Sequence, residues 1–216
     1  MKETIRVGIL DYGTGNIASL YKSLRSAGGK PYLITSKEEL KEVKSLILPG
    51  VGHFGEAIKS LKKKKMINNL NNIINSGIPV LGICLGFQLL TITSEESQSE
   101  KGLGIFPMKT LRIRPSNKKK YKVPHIGWNN IEKTKSKLQL LKNIDYRKQL
   151  FYFSNGFGVQ STNKSSYLQA HYYHDSKWTA IAEYKNIFGV QFHPEKSREQ
   201  GIILLNNFIS LSSKYL

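Results

Sequence analysis

The sequence predicts one α/β domain over residues 1–216, with a mostly parallel central sheet flanked by helices and antiparallel strands added in its second half. Three observations carry that expectation. From Ile5 to Ile92 short apolar runs alternate with stretches of helical periodicity, the pattern of right-handed βαβ units. Beyond Met108 the apolar segments are short and separated by turn residues, as in antiparallel strands. A chain of 216 residues can bury a substantial core, and neither a linker nor a repeat divides it.

Taken in order, Ile5–Leu10 reads as a strand, Ile17–Ser26 as a helix, and Pro31–Thr35 and Ser45–Leu48 as two further strands. One long helical pattern covers Glu56–Ile74, followed by a strand at Pro79–Ile83 and a helix at Phe87–Ile92. Thr110–Arg114, Gln149–Phe153, Tyr167–Tyr172 and Thr179–Tyr184 are the expected antiparallel strands on the same core. Arg198–Leu211 closes the chain as a helix, with Ile202, Ile203, Leu204, Leu205, Phe208 and Ile209 as its apolar residues. Ligands of open α/β sheets bind beyond the carboxyl ends of the strands. Pro49–Gly52 and Cys84 both fall there.

Cys84 is the only cysteine, and it sits at the centre of Gly82-Ile83-Cys84-Leu85-Gly86. A strand turning sharply into a helix around G-x-nucleophile-x-G is the nucleophile elbow, whose glycines permit the turn and leave the central side chain exposed. The helix N-terminus would favour thiolate over thiol. The competing reading of the pentapeptide is a buried cysteine packed as a small hydrophobe. A thiolate nucleophile also needs a base, and Gly189-Val190-Gln191-Phe192-His193-Pro194-Glu195 offers one. Read as a strand end, this stretch projects His193 and Glu195 from one face, so Glu195 can fix the imidazole while its other nitrogen meets the thiol. Solvated surface positions are the plain alternative for both. Finally, Pro49-Gly50-Val51-Gly52-His53-Phe54-Gly55 follows an apolar strand, and such glycines let backbone amides point inward as an oxyanion hole, although most glycine-rich loops are only turns.

In this order and spacing, Leu48-Pro49-Gly50, Gly82-Ile83-Cys84-Leu85-Gly86-Phe87-Gln88 and His193-Pro194-Glu195 resemble the class I (triad) glutamine amidotransferases. Asp11-Tyr12-Gly13-Thr14-Gly15-Asn16, Gly102-Leu103-Gly104 and Val123-Pro124-His125-Ile126-Gly127-Trp128-Asn129 narrow the resemblance to the glutaminase subunits of imidazole glycerol phosphate synthase. The resemblance runs from about Val7 to the closing helix. It implies that Cys84 attacks the side-chain amide of L-glutamine, that His193 protonates the departing ammonia and then activates water, and that Glu195 orients His193. It implies an oxyanion and substrate-binding set of Gly50, Val51, Gly52, Leu85, Gln88 and Glu96. It further implies a (β/α)8-barrel cyclase partner that receives the ammonia, with Asn16, Trp128 and Lys196 at positions of the partner interface; Lys196 as a solvated charge and Trp128 as core are the plain alternatives. No cofactor and no metal are expected, since outside the triad the histidines lack ligand-spaced partners.

Three departures from the pattern bear on these expectations. Phe87 stands where methionine is usual after the elbow, a swap of one large apolar side chain for another. Thr91-Ile92 replaces Phe-Glu, removing a charge beside the site without touching the triad. Ser154-Asn155-Gly156-Phe157 replaces Val-His-Ser-Tyr. The wider family carries a Gly-Phe pair there and contacts glutamine through backbone groups, so Asn155, Gly156 and Phe157 join the substrate set. Partner choice is open at this point, and a paralogous glutaminase feeding the amidation of surface sugars is the second reading.

Composition suggests a different class. Lys and Arg number 33 against 15 Asp and Glu, a formal net charge of +18, with runs at Lys62–Lys65 and Lys118–Lys120. Such an excess suits a binder of nucleic acid or membrane surface. No helix-turn-helix, zinc spacing or aromatic RNA-binding signature accompanies it, and a bias toward Lys, Asn and Ile gives the same excess, so neither nucleic acid nor membrane is an expected partner. A catalytically dead assembly subunit is disfavoured because all three triad positions are filled. One cysteine forms no internal disulfide, Met1-Lys2-Glu3-Thr4 leads into a strand rather than a signal peptide, and no apolar stretch of about 18 residues occurs. A cytoplasmic enzyme is expected.

Overall fold

β1 (Arg6–Leu10) is buried on both faces, Val7 and Ile9 against one core and Leu10 against the other, which marks it as an interior strand of a covered parallel sheet. This computed structural model describes residues 5–13, 16–132, 137–145, 149–161 and 167–213, so the expected lead-in at Met1–Thr4 lies outside the described residues. After β1 come α1 (Ile17–Ser26), β2 (Lys30–Ile34), α2 (Lys37–Lys41), β3 (Leu46–Leu48), α3 (Phe54–Lys63), α4 (Ile67–Asn75), β4 (Val80–Ile83) and α5 (Leu85–Leu89). The second half contains β5 (Thr93–Ser94), β6 (Ser97–Lys101), β7 (Met108–Arg112), β8 (His125–Asn130), β9 (Leu150–Asn155), β10 (Phe157–Ser161), β11 (Leu168–His174), β12 (Ser176–Tyr184), β13 (Ile187–Val190) and α6 (Arg198–Ser212).

Among the described residues eleven strands form one sheet in the order β2-β1-β3-β4-β13-β12-β10-β7-β5-β6, with β11 paired to β12. The strands from β2 to β13 run parallel, while β12 is antiparallel to β13, β10 and β11. Leu46 and Leu48 of β3 join a core with Ile58, Leu61 and Leu70 of α3 and α4; Ile47 points into the opposite core with Leu204, Leu205 and Phe208 of α6. Helices therefore cover both faces, as parallel pairing requires. β9 departs from expectation: it leaves the main sheet and pairs with β8 in a separate two-stranded ribbon.

The long helix expected over Glu56–Ile74 is two helices. Lys65 adopts a left-handed conformation, φ 55°, and the Met66 amide donates to the Leu61 carbonyl at 2.9 Å, ending α3 in a tight reversal. Leu61 and Met66 are both fully buried at that corner, and α4 restarts with Leu70 facing the core. A lysine gives no glycine signal for such a stop. The basic run is itself engaged here, because Lys64 Nζ donates to the Asp11 carbonyl at 2.7 Å and Lys62 pairs with Glu100. No described helix is long and apolar enough to cross a membrane.

Candidate active site

β4 lies between β3 and β13, so the loops after these three strands converge on one spot. Cys84 follows β4 with φ 51° and ψ −104°, a strained conformation for a residue with a side chain, and its amide donates to the Val190 carbonyl at 2.8 Å. The elbow closes because Gly86 has no side chain: a Cβ there would overlap the Leu48 carbonyl. Gly50 fits for the same reason, since a Cβ would come within 2.6 Å of Leu85 Cβ and 3.2 Å of the Gly86 amide. The Pro49–Gly52 loop is thus packed onto the elbow, and the Tyr12 hydroxyl donates to the Pro49 carbonyl from behind it. Val51 and Gly52 are exposed at the mouth.

Two expectations about Cys84 change. The residue is not exposed but 6% accessible, and it sits at the edge of the core that contains Ile83 and Phe192. The helix after it, α5, has five residues, and a stub of that length provides only a small dipole field.

His193 and Glu195 meet, though not by strand alternation. β13 ends at Val190, and Pro194–Lys196 form a single 3-10 turn that brings the Glu195 carboxylate Oε1 to 2.8 Å from His193 Nδ1. Proline, which cannot donate in a ladder, opens that turn. Both side chains are buried, and the turn is fastened by the Ser197 hydroxyl, which donates to the His193 carbonyl at 2.6 Å and accepts from the Tyr152 amide at 3.0 Å. The other ring nitrogen, Nε2, is buried without a nitrogen or oxygen partner, and the Cys84 sulfur is the neighbour that acts on the ring.

Burial opposes a charge on His193, but the neighbouring Cys84 sulfur and the Glu195 carboxylate outweigh it and raise the pKa to about 10. The folded value lies above the ordinary 6.5, so the stability contributed by the protonated ring is complete below pH 6.5 and is lost as pH rises through about 10. Removing the sulfur leaves burial less opposed. An NMR titration of the His193 ring in Cys84→Ala is therefore expected to show a lower pKa than in the wild type, and an unchanged titration would contradict the pairing.

Gln88 and the Asn155–Phe157 turn are linked to Cys84 through Gln191, while Glu96 lies beside the glycine loop. Gln88, nearly buried on α5, directs Nε2 to the Phe157 carbonyl at 3.1 Å and to Gln191 Oε1 at 3.4 Å. Asn155 Nδ2 donates to the same carbonyl at 2.8 Å and to the Tyr172 hydroxyl at 3.1 Å. Gly156 accepts from the Ile113 amide at 3.0 Å, tying the β9–β10 turn to the strand beside it. Glu96 accepts from the Phe54 amide at 2.7 Å at the start of α3, next to the glycine loop. Gln191 and Tyr172 were not legible as site residues. Gln191 Nε2 lies 3.6 Å from Cys84 Sγ, and Tyr172, whose ionisation burial suppresses and the Cys84 charge opposes further, is also fully buried.

Trp128 and Lys196 lie toward the surface beside the His-Pro-Glu turn, and Asn16 is exposed at the start of α1. Trp128 is 39% exposed, with the Arg198 guanidinium over its ring at 4.8 Å and Tyr152 edge-on at 5.7 Å; Lys196 Nζ lies 5.5 Å from the Tyr152 ring. A cleft of about 400 Å³ opens between Trp128, Leu150 and Arg198. Asn16 accepts from the Ser19 amide as the cap of α1, and Ser23 of that helix donates to the Glu195 carbonyl at 3.5 Å. His125, from the same stretch as Trp128, is a packing group: it stacks on His174 at 4.1 Å, and burial, then His174, lower its pKa to about 4.

A cysteine elbow facing a Glu-bound histidine under a glycine loop is the arrangement of triad amidotransferases, and the class-I glutamine amidotransferase family matches residues 8–211. The chain belongs to that family. Among relatives, the imidazole glycerol phosphate synthase subunit hisH of Cyanophora paradoxa is 40% identical over 208 residues, covering 96% of this chain and 95% of the relative. The imidazole glycerol phosphate synthase subunit HisH 2 of Methanococcus maripaludis is 38% identical over 207 residues, covering 94% and 98%. The structure of PurLQS from Thermotoga maritima shares the fold, with TM-score 0.75 at 18% identity over 97% of this chain and 99% of that one. Within the amidotransferase fold the departures find places. Phe87 is fully buried edge-on to Phe106 at 5.6 Å, and the Thr91 hydroxyl donates to the Gln88 carbonyl at 2.7 Å, closing α5.

Proposed function

We propose that this amidotransferase, a single domain spanning residues 1–216, is the cytoplasmic glutaminase subunit of an imidazole glycerol phosphate synthase in histidine biosynthesis. The observation that carries the reading is the buried His193–Glu195 pair held beside the Cys84 elbow. Near-full-length likeness to the synthase subunits supports the pathway.

In this reading the Cys84 thiolate adds to the side-chain amide carbon of L-glutamine. The oxygen becomes an oxyanion received by backbone amides of Gly50, Val51, Gly52 and Leu85. His193 passes its proton to the amide nitrogen, the C–N bond breaks, ammonia leaves and a thioester remains. Water then attacks that thioester as neutral His193 takes its proton; the C–S bond breaks, giving glutamate and returning the thiolate–imidazolium pair. Glu195 keeps the ring oriented through both steps. Gln88, Glu96 and the Asn155–Phe157 turn hold the substrate. Ammonia passes to a (β/α)8-barrel cyclase, which forms imidazole glycerol phosphate and the aminoimidazole carboxamide ribotide.

The test is glutamate release by the chain alone and with a histidine-pathway cyclase plus its phosphoribosyl substrate. Strong stimulation is expected. Its absence, with basal hydrolysis intact, would move the chain to a second reading, a paralogue feeding another synthase such as one that amidates surface sugars; the altered Ser154–Phe157 turn favours asking. In this reading Asn16, Trp128 and Lys196 contribute to the interface with the cyclase. Lys196→Glu is expected to weaken co-elution with the cyclase while leaving melting within about 2 °C of wild type, as for most surface substitutions. Undiminished co-elution would remove Lys196 from the interface.

A further inference from the structure

We propose that the Gln191 carboxamide is a catalytic group of this site: its Nε2–H donates to the Cys84 sulfur and holds it as thiolate, in an orientation dictated by the Phe157 carbonyl through Gln88. The inference rests on Cys84 being the nucleophile of the glutaminase reading above.

An amide side chain has nearly the same shape either way round, so its polarity must come from its partners. The Phe157 carbonyl is a backbone oxygen and only accepts. The Gln88 atom 3.1 Å from it is therefore the NH2 end. That same nitrogen lies 3.4 Å from Gln191, so the Gln191 atom facing it must be the carbonyl oxygen. The opposite end of Gln191, the NH2, is then left 3.6 Å from Sγ, within reach of an N–H donor to sulfur. Turning either amide over would set two donors or two acceptors against each other at residues nearly or fully out of water. Asn155 steadies the anchor by donating to the same carbonyl and to Tyr172.

A donor aimed at sulfur favours the anion, which accepts far more strongly than a neutral thiol. The five-residue α5 gives little field of its own, so side chains must supply this stabilisation. The Ser154–Phe157 turn, where the chain leaves the narrower family pattern, thus does more than line the substrate pocket. Through Phe157 it sets which end of Gln191 the nucleophile meets.

Alkylation of Cys84 by iodoacetamide reads the thiolate and needs neither glutamine nor a partner chain. Gln191→Met keeps length and removes the donor; it is expected to react about tenfold more slowly than wild type at neutral pH, with the alkylation profile displaced about one pH unit to alkaline. Gln88→Met leaves the sulfur untouched but frees Gln191 to turn, and is expected to shift the profile the same way by a smaller factor, about threefold. A Gln191→Met profile that superimposes on wild type in a protein with unchanged circular dichroism and melting overturns the proposal. If Gln191→Met does not fold, the Gln88→Met profile decides on the same terms. Glutamate release measured on the wild type with the cyclase and its phosphoribosyl substrate present separates the two readings: a displaced profile in a chain that hydrolyses no glutamine under those conditions supports the sulfur contact and overturns the glutaminase.

Discussion

Cys84→Ala is expected to slow glutamine hydrolysis by about 10,000-fold or more, since removal of a triad nucleophile leaves only binding and oxyanion contributions. The fold should survive. The lost sulfur is a small part of a large core, and the left-handed elbow backbone suits alanine as poorly as cysteine. The main structural cost is the Gln191 N–H left without its acceptor, about 1–3 kcal/mol for a buried unsatisfied donor. Thermal melting should therefore fall by a few degrees, roughly 2–4 °C per kcal/mol in a domain of this size. Turnover near wild type would remove Cys84 from the mechanism, and unfolding at room temperature would make it a structural residue.

Gly86→Ala is expected to do the opposite, damaging structure first. Its Cβ would collide with the Leu48 carbonyl, a backbone atom of a central strand that has no rotamer to move to. Overpacking of this kind costs about 3 kcal/mol. Melting should drop by roughly 6–12 °C, and hydrolysis should be lost because the displaced elbow carries Cys84 with it. Melting unchanged from wild type would show that the elbow and β3 are not in contact. Together the two variants separate a residue needed for chemistry from a residue needed for the geometry of chemistry.

The contrast also explains what the sequence made legible. Parallel strands buried on both faces are continuous apolar runs, so β1 to β4 stand out, and the elbow and the His-Pro-Glu turn are contiguous motifs whose spacing survives as text. The break at Lys65 was hidden because a left-handed lysine carries no glycine signal. β13, the strand that connects the parallel and antiparallel halves, is four residues long, and only its far end could be seen beside the histidine. α2 carries a capping box between Ser36 and Glu39, but its five residues are too few to show a helical periodicity in the sequence. Gln191 escaped for a different reason. It reads as one polar residue in an apolar strand end, and only the placement of β10 against the elbow helix gives its amide two partners and a direction.

In the proposed reaction, ammonia released at Cys84 is delivered to a synthase rather than to solvent. The direct measurement uses glutamine labelled with nitrogen-15 in its side-chain amide, the chain, a histidine-pathway cyclase with its phosphoribosyl substrate, and excess unlabelled ammonium. The imidazole glycerol phosphate formed is expected to carry the label despite the ammonium, and Cys84→Ala to yield only unlabelled product. Label appearing in bulk ammonium while the product stays unlabelled would contradict it.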